Sequence, residues 1–386
     1  MKTNSALLIL AIIFCLNESL ASSNWSQRAD FGAEARHRAT ALSIGNKGYM
    51  GLGHYNGTGV NIVKNDWWEY DPSTNSWTQK ADFTGNSGIG NYGVFTFSFE
   101  SAGYVGGGQL GSGSEMIKYS PLTNSWTHLP NLPFSSSNLQ AFTINEIGYY
   151  IASSNLYKFD EASETWSNLG NTPFSPSAWN ATFSIDEKGY VKSGHNLYEY
   201  KPATNQWISR ANFPGLASGG SASFSQNGHG YIVSGYGTSL SDVNSEVWEY
   251  SPFSDNWNQL PNFLGTSRRF SSFFKIDNRV FIGTGTNGTN FNDFWEFNSI
   301  ASIPEENSPI TINCYPNPAQ YLVHFETNHQ SNTSISIYSS VGRLITQFDM
   351  DSNSATFYRK SLPSGWYFYN LMVDNEIIYS GKFTFQ

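Results

Sequence analysis

Trp68-Glu69-Tyr70-Asp71-Pro72, followed after a short gap by Trp77, decides the fold because it returns. Ile117-Lys118-Tyr119-Ser120-Pro121 precedes Trp126, and Phe159, Tyr200 and Tyr250 precede Trp166, Trp207 and Trp257. Upstream of each stands a Gly-Tyr pair: Gly48-Tyr49, Gly103-Tyr104, Gly148-Tyr149, Gly189-Tyr190 and Gly230-Tyr231. Counted from Trp25, successive tryptophans lie 52, 49, 40, 41 and 50 residues apart. Alternating runs of four to eight residues, separated by Gly, Asn and Pro, make each unit four strands. Such a unit cannot bury both faces alone, so copies must stack, and radial stacking leaves only short edges.

The count predicts closure. Five units are complete. A sixth, with Val280-Phe281 in the Gly-Tyr place and Phe294-Trp295-Glu296-Phe297-Asn298 as third strand, lacks its tryptophan strand. Asn24-Trp25-Ser26-Gln27-Arg28-Ala29-Asp30-Phe31 supplies it, with the Ala-Asp-Phe that also follows Trp77. The expectation is an all-β chain: a six-bladed β-propeller over 22–303, sealed by its N-terminal strand, and a small C-terminal β-sandwich. Blades three and four have short inner loops and leave their side of the ring lower.

Composition narrows the function classes. The 386 residues carry a formal net charge of −9, with 13% charged and 16% aromatic side chains and 35 glycines. Charge at roughly half the usual ~25% together with abundant aromatics excludes a disordered chain, and the Ala/Glu/Lys/Leu bulk of a coiled coil is missing. A nucleic-acid binder would show a basic stripe, and none is present. Lys2, the apolar run Ala6 to Leu16 and Ser19-Leu20-Ala21 read as a secretory signal peptide over 1–21. That run is far short of the ~20 residues that cross a bilayer, and no later stretch is long enough. Cleavage after Ala21 leaves Cys314 as the one cysteine, so stability must come from packing.

The repeat resembles the kelch propeller family. Arg36 and Arg268 match its basic residue before the first strand, and Gly106-Gly107-Gly108 its diglycine. The Tyr/Trp pairs match the rest, while the diglycine is degraded in other units. After the Pro304–Pro309 linker, residues 304–386 form a second domain. Tyr315-Pro316-Asn317-Pro318-Ala319, the later Gly365-Trp366-Tyr367 and the closing Gly381-Lys382 resemble the type A C-terminal sorting domain of type IX secretion, the export route of Bacteroidetes-type bacteria. This resemblance implies the secretion machinery as partner and a secreted or cell-surface location reached through the periplasm.

Aligning units on Gly-Tyr gathers two sets of loops. Before the first strand come Arg36-His37-Arg38, Tyr92, Trp179 and Arg268-Arg269; after the second come His54-Tyr55, Gln109, His195, Tyr236 and Asn287. The kelch resemblance implies that both sets line one end of the central channel. Arginine forks suit carboxylates, and aromatic rings offer apolar faces to sugars or peptides. Arg36 and Arg268 read equally well as framework residues. Asp66, Glu115, Asn155, Asn196, Glu246 and Asp293 recur four positions before every third-strand aromatic, which marks local hydrogen bonding rather than catalysis. The histidines show no metal-ligand spacing, and a galactose-oxidase-like copper site needs a propeller cysteine that is missing. No cofactor or metal is expected. The reading is a binding module for a glycan or protein ligand. The alternative is a sugar-acid mutarotase similar to N-acetylneuraminate epimerase, with Arg36, Arg38 or Arg269 on the carboxylate and His37 or His54 as base.

Overall fold

The computed structural model describes residues 24–57, 59–136, 141–175, 179–298, 312–327, 333–340, 342–350, 353–373 and 376–386. The expected signal peptide and linker lie outside these residues. The chain divides into two compact units, Met1–Ile300 and Ala301–Gln386.

The first unit holds six four-stranded antiparallel sheets. Blade 1 comprises Thr40–Ile44, Lys47–Gly51, Trp67–Asp71 and Ser76–Gln79, and blades 2 to 5 repeat that order. In blade 6, Ser272–Ile276, Arg279–Gly283 and Phe294–Phe297 are completed by Trp25–Arg28, with Trp25 opposite Phe297 and Arg28 opposite Phe294. Each first strand neighbours the first strands of the adjoining blades, so the ring closes. This is the six-bladed propeller that the repeat predicts.

The repeating residues are what joins one blade to the next. A Cβ added to Gly48 would lie 2.1 Å from the ring of Phe274 in the preceding blade, and Gly148, Gly189 and Gly230 meet Phe97, Phe142 and Phe183 in the same way. Glycine is kept there because a neighbouring aromatic occupies the space a side chain would need. The fourth-strand tryptophan reaches back across the same seam: Trp77, Trp126 and Trp257 donate their indole N–H to the carbonyls of Ala29, Ala81 and Ala211. Asn75, Asn124 and Asp255 accept from the backbone N–H of those alanines and from the third-strand hydroxyls of Tyr70, Tyr119 and Tyr250. The Trp, the Tyr and the Ala-Asp-Phe type of turn therefore form one inter-blade joint.

The second unit is an antiparallel sandwich. Ile312–Tyr315, Leu322–Thr327 and Ser354–Tyr358 form one sheet; Leu344–Asp349, Thr333–Ser339, Gly365–Val373 and Glu376–Phe385 form the other. Alternate residues, including Val323, Phe325, Ile335, Ile337, Leu371 and Phe383, fill the core between them.

Candidate ligand site at the channel mouth

The six first strands enclose a channel of about 450 Å³, walled largely by Ser, Thr and Ala side chains. Hydroxyls tie adjoining blades together: Thr96 donates to the Ala41 carbonyl, Thr182 to Ala141 and Ser272 to Ala39. Blade 6 places Phe273 and Lys275 in this wall, and burial holds Lys275 below the usual lysine range. Antiparallel order puts the loops before first strands and after second strands at one end of the ring, which is the mouth.

Backbone shape at the mouth follows a rule. The residue two before the first strand is left-handed in every described blade: Arg38 (φ 52°), Gly93 (66°), Trp179 (64°), Gly220 (68°) and Phe270 (58°). Glycine accepts this conformation freely, whereas bulky residues do not. Blades 1, 4 and 6 nonetheless carry Arg, Trp and Phe there, and the three side chains converge. The Arg38 guanidinium carbon lies 4.1 Å from the Phe270 ring centroid, 4.8 Å from Trp179 and 6.0 Å from Tyr92.

Two histidines pin that guanidinium. His37 and His54 exchange backbone hydrogen bonds of 3.1 Å, and their rings lie 4.1 Å apart. Arg38 Nη1 stands 3.2 Å from His37 Nε2 and 3.0 Å from His54 Nε2. Arginine only donates, so both Nε2 atoms accept and each ring carries its proton on Nδ1. Those protons go to Asn290 Oδ1 at 2.7 Å and Asn61 Oδ1 at 3.1 Å. Burial first, then His54, drives the His37 pKa down to about 3; burial likewise lowers His54. Tyr92 stacks on His54 at 4.1 Å. Tyr236, 5.8 Å from Phe270, has its hydroxyl pKa raised by burial and lowered somewhat by Arg38 and Arg269.

Arg269 is the second cation of the mouth, 5.5 Å from the Phe270 ring. Among the described residues, its Nε and Nη1 are buried without a hydrogen-bond partner, as is Nε of Arg38. Burial lowers the pKa of both guanidiniums, and Arg269 lowers that of Arg38 further. Gln109 completes the wall: a Cβ on Gly93 would lie 3.0 Å from the Gln109 side chain and 3.2 Å from the Trp179 ring.

The remaining expected residues are placed elsewhere. Arg36 and Arg268 are 1% and 0% exposed, so neither can meet a ligand. Arg36 is held by both carboxylate oxygens of Asp66 and the Leu52 carbonyl; Arg268 is held by Asp293 and the Thr284 carbonyl. Asp66 and Asp293 also accept from Trp68 and Trp295, which gives the recurring acid a structural task. His195 is exposed, donates to the Phe213 carbonyl and stacks on that ring. Tyr55 is 37% exposed on the hairpin of His54–Gly57 and Val60–Val63, and Asn287 accepts from Thr289 within its own turn. Phe270, Asn61 and Asn290 belong to the site and were not anticipated. The usable signal was positional: a bulky residue two before the first strand, where other blades have glycine. Among the described residues, no three His, Cys, Asp or Glu side chains are grouped to hold a metal ion.

No curated protein matches the chain. The solved structure of YjhT is similar at 17% identity and a TM-score of 0.58, over 69% of this chain and 95% of that one, a likeness of fold. Residues 313–385 match the secretion system C-terminal sorting domain family. That domain marks proteins secreted or surface-attached through type IX secretion, and no described helix is long and apolar enough to cross a membrane.

Proposed function

We propose that the propeller is an exported binding module whose channel mouth takes an anionic group. One observation carries the reading: the Arg38 and Arg269 guanidiniums share an aromatic-walled mouth, with buried donor nitrogens that find no acceptor among the described residues. A buried donor without a partner costs about 1–3 kcal/mol, so such nitrogens favour a ligand that supplies acceptors. A carboxylate fits best, because planar donors meet planar acceptors. Trp179, Tyr92 and Phe270 offer the apolar faces that a sugar ring or peptide would cover.

A further feature supports a face wider than a metabolite pocket. Tyr55, Val60, Ile62, Ile89, Leu216, Leu240 and Leu264 are exposed on loops at the mouth end, whereas the opposite end exposes Leu122 and Phe253. That opposite rim carries Glu100, Glu146, Asp186, Glu187 and Asp277 on its turns, with Lys47, Lys188 and Arg279 beside them. The mutarotase alternative needs a base, and the Nε2 lone pairs of His37 and His54 already receive Arg38. With His37 held near 3, neither ring is suited to take a proton at neutral pH.

The test is binding of the purified chain to an array of carboxylated, sulfated and neutral glycans, with free and linked sialic acids included. Selective binding of carboxylated ligands, lost in Arg38→Ala and Arg269→Ala, is the expected result. Binding of neutral glycans that both variants retain would overturn the reading. Anomer exchange of a free sugar acid by the intact protein would restore the alternative.

A further inference from the structure

The larger sheet of the C-terminal unit has one face in the core, through Tyr367, Tyr369 and Leu371, and one in solvent. A solvated sheet face is ordinarily polar. Part of this one is: Gln347, Ser336, Asn370 and Ser380 stand in register across the four strands, with Ser336 itself covered and donating to Met372 Sδ. The next outward row is different. Leu344, Tyr338, Phe368 and Lys382 lie side by side, and Trp366 follows on the same face with Lys382 Nζ 5.0 Å from its ring. Leu344, Trp366 and Phe368 are 50%, 51% and 44% exposed. The apolar stripe thus crosses the whole sheet at one end and is not spill from the core, whose side chains alternate with it.

Charge gives the stripe a sign. Lys382 sits within it and Arg343 at its margin beside Leu344; among the described residues neither joins an ion pair. Asp349 lies at the other end of the same strand. The strand that carries Lys382 is held in place from outside the sheet. Asn317 accepts from the Thr384 N–H and donates to the Lys382 carbonyl, and Ala319 donates its N–H to the Thr384 carbonyl. The Pro-Asn-Pro-Ala segment therefore fixes the register of the strand that presents the cation.

We propose that this stripe is the surface by which the secretion machinery grips the sorting domain. It fits a partner surface that is apolar and edged with acidic side chains. The occupant follows from the family match, which covers these residues and makes the domain one that the export system must recognise. The proposal does not depend on any ligand of the propeller.

The experiment is delivery of the full chain in a type IX-competent host, scored as surface plus medium against periplasm. Trp366→Ser with Phe368→Ser, and separately Lys382→Glu, should lower delivery at least tenfold while the purified proteins melt as the parent does. Tyr321→Ser with Tyr358→Ser, which removes exposed aromatics at the other sheet, should be delivered normally. Delivery of both stripe variants at the parental level, or equal loss in the control pair, would overturn the proposal. Should the double variant melt early, Lys382→Glu decides alone. Normal delivery of a chain lacking 313–386 would instead refute the sorting role itself.

Discussion

Replacing Asp293 with Asn removes the countercharge of Arg268 and almost no volume. Arg268 is 0% exposed, so its guanidinium cannot turn to water. The carbonyls of Thr266 and Thr284 remain as acceptors, and the rings of Phe263 and Phe291 stand 5.1 and 4.3 Å away. Breaking a buried pair by deleting one partner costs about 3–5 kcal/mol. At roughly 2–4 °C per kcal/mol for a domain of this size class, the melting temperature should fall by about 6–20 °C. Arg269 is the next residue in the chain and should behave oppositely. Among the described residues it has no carboxylate partner and keeps two buried nitrogens unbonded, so Arg269→Ala should leave the melting temperature unchanged or raise it slightly while ligand binding is lost. Differential scanning calorimetry of both variants reads this directly. An Arg269→Ala loss as large as that of Asp293→Asn would mean that Arg269 is framework, and the mouth would lose its second cation.

Arg38→Gly relieves a left-handed backbone of φ 52° but deletes the guanidinium that both imidazoles accept from and that Phe270 and Trp179 flank, so it should lower the melting temperature by a few degrees while abolishing anion binding in calorimetric titration. Gly189→Ala should destabilise by about 1–3 kcal/mol in urea unfolding, because its Cβ would lie 2.2 Å from the Phe142 ring. His37 stays neutral in the folded protein down to about pH 3, whereas the unfolded chain takes up a proton below about 6.5. The unfolded state then binds more protons between those values, and stability falls as pH drops: by about 2 kcal/mol at pH 5 from this group. His37→Gln should flatten that part of the stability profile; an unchanged slope would refute the assignment. Ligand binding should be level from pH 7 to 9, since burial lowers both imidazole pKa values, and a midpoint at or above 6.5 would indicate an unshifted imidazole in the site.

The propeller was legible because its joints are local and repeated. Tyr70, Asn75 and Trp77 lie within one strand pair, and each joint recurs around the ring, so spacing alone exposed it. The degraded diglycine concealed a conserved backbone shape: Leu52-Gly53, Ser234-Gly235 and Thr284-Gly285 all take left-handed conformations, as Gly107-Gly108 does. The site was legible only in part, because it is assembled by closure of the ring. His37 meets Asn290 across 253 positions of sequence, and no periodicity in one blade predicts what the last blade brings to the first. Arg36 and Arg268 could not be separated from Arg38 and Arg269 by type or position along the chain; burial and a carboxylate partner distinguish them.

That separation is the physical argument for a site at the mouth. The same chain solves the buried-guanidinium problem twice, with Asp66 under Arg36 and Asp293 under Arg268. One or two residues further on it uses no carboxylate among the described residues: Arg38 is met by two neutral imidazoles and Arg269 keeps two unbonded nitrogens, on a backbone strained at Arg38 and Phe270. Packing alone favours glycine at those positions, as Gly93 and Gly220 show, and favours a carboxylate beside a buried cation. Arg38, Trp179 and Phe270 depart from the first preference, and Arg38 and Arg269 from the second, all at the channel mouth. Strain and unpaired donors gathered at one place are what the proposed anion site explains, and the loss of binding in Arg38→Ala and Arg269→Ala is its test.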